Sequence, residues 1–247
     1  MSQTNHKDAP GAGAAHGAGV ANTISPVYWL YAPLAAGVLL AVLAHGAPQF
    51  YAAYMEPELG VLETVHILQA AAGALLAATL LARAEVRARS WLLAWIGLAF
   101  AGCVYIAGEE ASWGQHFFAW TTPDQWQALN DQGETNIHNI SSWFDQKPRL
   151  LLELGVIIGG LILPLVQRRG RVLQSGRLAY LVPPMICLPT AAMALVVRLD
   201  DVITETTAIG MLLFFRASEV QEFFFYYFVC LYLAAFSRRL QSNPPPA

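Results

Sequence analysis

An all-α integral membrane bundle of about six transmembrane helices is the fold this sequence predicts, and three observations predict it. Of 247 residues, 56% are hydrophobic and only 13% are charged, against roughly 25% charged in soluble domains. The mean hydropathy is +0.44. The apolar residues collect into runs of the roughly 17–25 residues that cross a hydrocarbon core, and arginines mark every second connection between them.

The runs lie near 27–47, 60–82, 90–112, 149–167, 177–198 and 209–236. Ahead of them, residues 1–25 are rich in Gly and Ala, without periodicity or large apolar side chains. Such a segment cannot bury enough surface to offset its ordering entropy and reads as a disordered tail. It also lacks the charged-then-apolar order of a signal peptide. Residues 26–239 form the six-span membrane domain, and 240–247, with Pro244, Pro245 and Pro246, a disordered C-terminal tail. Pro183, Pro184 and Pro189 crowd the fifth run and predict a kink or local unwinding there. Cys103, Cys187 and Cys230 all lie inside apolar runs without a CxxC pair, so they read as small buried hydrophobes.

Charge sets the orientation. Arg83, Arg87 and Arg89 separate runs two and three; Arg168, Arg169, Arg171 and Arg177 separate four and five; Arg238 and Arg239 follow the sixth. The other connections carry Glu56 and Glu58, then Asp124, Asp131 and Glu134, then Asp200, Asp201 and Glu205. By the positive-inside rule the chain is expected to be a multi-pass protein of an inner (plasma) membrane, with both termini cytoplasmic and the acidic loops outside. Lys147 and Arg149 are the exceptions. The net charge of −3, with no Lys/Arg run, excludes nucleic acid as a partner and leaves membrane lipids.

Depth along the helices follows from a rise of about 1.5 Å per residue. Glu109 lies about 30 Å above Arg89 and Glu63 about 30 Å above Arg83. Glu219 and Glu222 lie about 28 and 24 Å above Arg238, His66 at about 25 Å and Glu153 at about 22 Å. Several helices thus deliver ionisable groups to one layer near the outer face, where charge is costly without a purpose.

The densest polar stretch is Gly108–Asn139, GEEASWGQHFFAWTTPDQWQALNDQGETNIHN. Glu63 and His66 form an E-x-x-H, a spacing that puts carboxylate and imidazole on one helical face and recurs in bundles holding paired metals. Glu63, His66, Glu110, Glu134 and His138 are therefore the candidate ligands of a divalent metal ion. One of Glu109, Glu219 and Glu222 is the candidate general base. The competing reading is a hydrogen-bonded network that only holds helices together. Arg216 and Glu219, at i, i+3, neutralise each other and should face the bundle interior. Ser112 and His116, at i, i+4, match a nucleophile and base only weakly, and a bond from Ser112 to a helix carbonyl explains the serine better. Thr122-Pro123-Asp124-Gln125 starts a short helix reaching about Asn130, with Thr122 as N-cap. Trp113, Trp120, Trp126 and Trp143 suit an interfacial belt holding the Glu134–His138 segment over the helix ends as a lid. Asn139-Ile140-Ser141 matches a glycosylation sequon by residue type.

GEEASWGQ, with the Gln132, Glu134, Asn136, His138, Asn139 pattern after it, resembles a family of uncharacterised bacterial polytopic membrane proteins. The resemblance covers about 105–140 and implies no activity. In such sequences the position of His116 looks basic without being restricted to His, which leaves His116 out of a metal site. A weaker likeness is to the ceramidase-like membrane hydrolases, which imply a histidine-held zinc. This chain lacks their clustered histidines near the C-terminal end.

Three functions fit these residues: a metal-dependent enzyme acting on a lipid or lipid-linked substrate, a non-catalytic accessory or assembly subunit, and a proton-coupled transporter.

Overall fold

The computed structural model of the protein describes residues 24–57, 59–127, 135–136, 142–170, 173, 175–207, 210–243 and 245–246. Most of the expected N-terminal tail lies outside these residues. The described residues contain helices and no strand. Seven helices organise them: α1 (Val27–Gly46), α2 (Pro48–Tyr54), α3 (Val61–Leu81), α4 (Ser90–Glu110), α5, α6 (Leu188–Thr206) and α7 (Ala217–Ser242). The α5 helix runs through Ser142–Ile157, widens into a π-turn at Ile158–Ile162 and closes as Leu163–Arg168. Pro164 has no N–H to give the Gly160 carbonyl, and the π-turn sits where that bond is missing.

Five helices are long and apolar enough to cross a membrane: Val27–Gly46, Val61–Leu81, Ser90–Glu110, Lys147–Arg168 and Ala217–Ser242. The expected sixth, at 177–198, differs. A short helix, Gly176–Leu181, ends where Val182 turns extended ahead of Pro183, as the residue before a proline prefers. The α6 helix then starts with Pro189 in its first turn and runs on to Thr206. Asp200, Asp201 and Glu205, expected in an outer loop, are therefore helical. Pairing makes this possible: Arg198 lies 3.4 Å from Glu153 and 2.7 Å from Asp201, and Asp200 accepts the backbone N–H groups of Leu213 and Phe214 at 2.9 and 3.1 Å.

The last run also shifts. Helix begins at Ala217, not 209, because the backbone of 210–216 is held by side chains. Besides Asp200, His45 Nε2 donates to the Leu212 carbonyl at 3.1 Å and the Tyr51 hydroxyl to the Phe215 carbonyl at 3.2 Å. At its other end α7 passes through Arg238 and Arg239 to Ser242, beyond the tail boundary expected at 240. Long arginine stems allow that continuation, and Arg239 donates to the Tyr180 carbonyl.

The α7 helix is the hub. Within its apolar window 61% of residues are buried, against 17–28% in the other four spans. It packs most extensively on α3 and α6 and also meets α1 and α5, while α4 packs on α3. The α3 face that turns inward is Leu62, His66, Ala70, Gly73, Ala77 and Leu80. Its small residues let backbones approach: a Cβ on Gly73 would sit 2.8 Å from the Cys103 sulfur. Outward, Leu68, Leu75, Leu98 and Leu151 are 62–72% exposed, as a lipid-facing surface requires. The connections sort the ends. Helices α3, α5 and α7 start, and α4 and α6 finish, at an end rich in carboxylates. At the opposite end Arg83 donates to Ser237, and Arg89 to the Pro246 carbonyl.

Candidate metal centre

Three helices meet at the acidic end. His66 lies in the second turn of α3, Glu110 is the last residue of α4, and Glu222 lies in the second turn of α7. One ligand atom from each falls within 4.8 Å of the other two. His66 is fully buried, and its Nδ1 lies 3.3 Å from Glu110 Oε2. The other Glu110 oxygen accepts the Tyr226 hydroxyl at 3.0 Å. Tyr226 stands one turn along α7 from Glu222 and sets its ring edge-on to His66, with centroids 5.2 Å apart. Facing Glu222 is Arg149 Nε at 3.7 Å, and the same guanidinium donates to Gln221 Oε1 at 2.9 Å.

The polar accounting of this region does not close with protein groups alone. His66 Nε2, Gln69 Oε1 and Gln221 Nε2 are buried without a hydrogen-bond partner. An unmet buried polar atom costs about 1–3 kcal/mol, so each is a place for a water, an ion or a ligand group. Charge is also unbalanced if His66 is neutral, since two carboxylates face one guanidinium. A cation or a proton on the imidazole closes the difference.

The residues singled out from sequence separate here. His66 and Glu110, expected as ligands, and Glu222, expected as a base, come together. Glu63 stands apart, one turn nearer the helix start, where its carboxylate accepts the Leu59 backbone N–H. Glu109 is buried and accepts the Trp113 indole N–H at 2.6 Å. Glu219 pairs with Arg216 at 2.7 Å. That pair does not face the interior: Arg216 is half exposed, left-handed at φ 46°, and donates to the Glu56 carbonyl at 2.7 Å. Glu134 and His138, with the Asn139 sequon and most of the expected lid, lie outside the described residues.

Sequence reasoning missed Tyr226, Gln221 and the role of Arg149. Tyr226 follows Glu222 at i+4, a signal hidden in an aromatic run. Arg149 had registered only as an exception to the charge rule. Its contact with Glu222 accounts for a basic residue at the acidic end.

The GEEASWGQ stretch is decoded largely as a folding device. Gly108 is needed because the Trp113 ring lies 2.9 Å from where its Cβ would be. Ser112, Trp113 and Gly114 all take positive φ, at 43°, 54° and 100°, and break the helical path beyond α4. Gln115 then clamps the segment that follows: its Oε1 accepts the Thr135 N–H at 2.7 Å, and its Nε2 donates to the Thr122 hydroxyl at 2.8 Å. A helix, Asp124–Gln127, does follow Pro123 as expected. Ser112 is buried and accepts from Asn136 Nδ2 at 3.1 Å. The His116 side chain is outside the described set. Nearby, burial and then the charges of Glu56 and Glu219 push the Tyr51 phenol up to about 12.

No family model, no curated protein and no solved structure matches this chain. The fold and the site define a class by themselves: a multi-pass, membrane-type helical protein with a His/Glu group able to hold a metal ion near one end.

Proposed function

We propose that the protein is a membrane-embedded, metal-dependent enzyme acting on a lipid or lipid-linked substrate, with His66, Glu110 and Glu222 as the ligands of a divalent ion. The observation that carries this reading is the convergence of one donor from each of three helices within 4.8 Å, around a fully buried histidine with an unpartnered ring nitrogen. One imidazole and two carboxylates suit zinc, manganese or ferrous iron better than calcium or magnesium, which favour oxygen alone. Bound there, such an ion would polarise a carbonyl or phosphoryl oxygen and acidify a water. Tyr226 would fix the orientation of Glu110, as outer-shell groups do for metal ligands, and Arg149 would offset the carboxylate charge. Glu109 and Glu219 keep Trp113 and Arg216 as partners and would act on the site through the shape of its rim. We place the acidic end on the outer face of a bacterial plasma membrane and the arginine end in the cytoplasm, since basic residues are retained on that side.

One observation favours a second, non-catalytic reading as an accessory or assembly subunit. Protonated His66 with Glu110, and Arg149 with Glu222, sum to zero charge without any metal. Metal analysis separates the two readings. Protein purified in detergent without chelator is expected to carry about one transition-metal ion per chain, released at acid pH as the ligands take protons. His66→Ala is expected to remain folded and lose the ion. Metal-free protein that is fully folded would overturn the enzyme reading.

A further inference from the structure

The α1 helix leans on α6 and α7, and α3 on α4 and α7. Between α1 and α3 the bundle leaves a groove of about 140 Å³, lined without a polar group by Leu39 and Leu40 of α1, Leu62 and Val65 of α3, Phe223 of α7, and Met55. Two of the helices that wall it, α3 and α7, also carry His66 and Glu222 of the candidate metal centre. Leu62 lies one helical turn before His66 and Val65 immediately before it, and Phe223 is the neighbour of Glu222 in the chain. Leu39 and Val61 at its mouth are exposed on the lipid-facing side of the bundle.

We propose that this groove seats an acyl chain of the substrate lipid, entering sideways from the bilayer between α1 and α3. The inference deepens the enzyme reading and names the substrate class as an acyl-bearing lipid whose polar group then lies beside His66, Glu110 and Glu222. One physical point selects this occupant. By helix rise Phe223 and Val65 lie about 22 and 27 Å above the arginine level, inside a hydrocarbon core about 30 Å thick, so an apolar slot opening outward there meets acyl chains and not water. Lipid tails are as apolar as leucine, so transfer into the groove gains no hydrophobic energy. Its contribution is placement: a chain lying along Leu62 and Val65 brings its ester or headgroup end to the level of the ligands.

The test is photolabelling of the full-length protein in lipid nanodiscs containing a phosphatidylcholine with a diazirine on one acyl chain, with labelled residues mapped by mass spectrometry. Label is expected to concentrate on Leu39, Leu62, Val65 and Phe223, several-fold above Leu98 and Leu151, which are exposed on other faces. Ala36→Trp, which fills the groove, is expected to bring labelling down to the level of those controls while bound metal stays unchanged. Leu39→Trp closes the mouth from the lipid side without touching the core and is expected to act the same way. Label that simply follows exposure, strongest on Leu98 and Leu151, would overturn the groove. So would label in the groove that neither tryptophan displaces. Metal-free protein with a labelled groove would leave the acyl site standing and remove only the enzyme reading.

Discussion

At Glu110 one carboxylate serves two neighbours, with Oε2 toward His66 and Oε1 accepting from Tyr226. The residue-scale prediction follows from that division. Tyr226→Phe keeps the ring packed edge-on to His66 and deletes only the hydroxyl. Loss of an outer-shell hydrogen bond of this kind lowers metal affinity by about 10- to 100-fold. Competition against a chelator of known affinity reads that drop, and an unchanged affinity would remove Tyr226 from the site. Much of the polar GEEASWGQ string is likewise explained residue by residue: Gly108 makes room for Trp113, Glu109 accepts its indole N–H, and Gln115 holds Thr135. From sequence Glu109 is a candidate general base, since a short polar string at a membrane edge reads the same whether it performs chemistry or ends a helix.

Among the elements, the segment 210–216 departs furthest from its hydropathy. Met211–Phe215 is apolar enough to be taken as helix, yet its backbone polar groups go to His45, Tyr51 and Asp200, which come from three different helices. No local pattern could report those partners. Asp200→Ala should release the Leu213 and Phe214 N–H groups at about 1–3 kcal/mol each. A lowered thermal midpoint in detergent, together with faster hydrogen exchange confined to 210–216, is the expected result. Exchange left as it was would show that the aspartate does not hold this connection. The proline-crowded fifth run was legible to the extent that a break is present at Val182–Pro184. Its outer limit was not, because Glu153, brought in from α5, lets charged residues continue the α6 helix past the apolar run.

Across the whole molecule the two ends differ in charge, and the proposed orientation rests on that asymmetry. A cysteine at Gln127, near the acidic end, is expected to react with a membrane-impermeant maleimide on intact spheroplasts; one at Ser242 is expected to react only after the membrane is opened. The reverse pattern would invert the topology and place the His66 group on the cytoplasmic side. The helical class, four of the five apolar spans to within a few residues, and the layer in which ionisable groups gather were all decided by composition, run length and arginine spacing. These are one-dimensional properties, set by the thickness of a hydrocarbon core and the cost of charge within it. Which of those groups touch is a different matter. Glu63 and His66 share a helical face, but only the packing of α3 against α4 and α7 leaves Glu63 at the rim while His66 meets Glu110 and Glu222. Sequence spacing sets the height of a side chain along its own helix. The rotation of each helix about its axis, fixed by contacts such as Gly73 against Cys103, decides which neighbour that side chain finds.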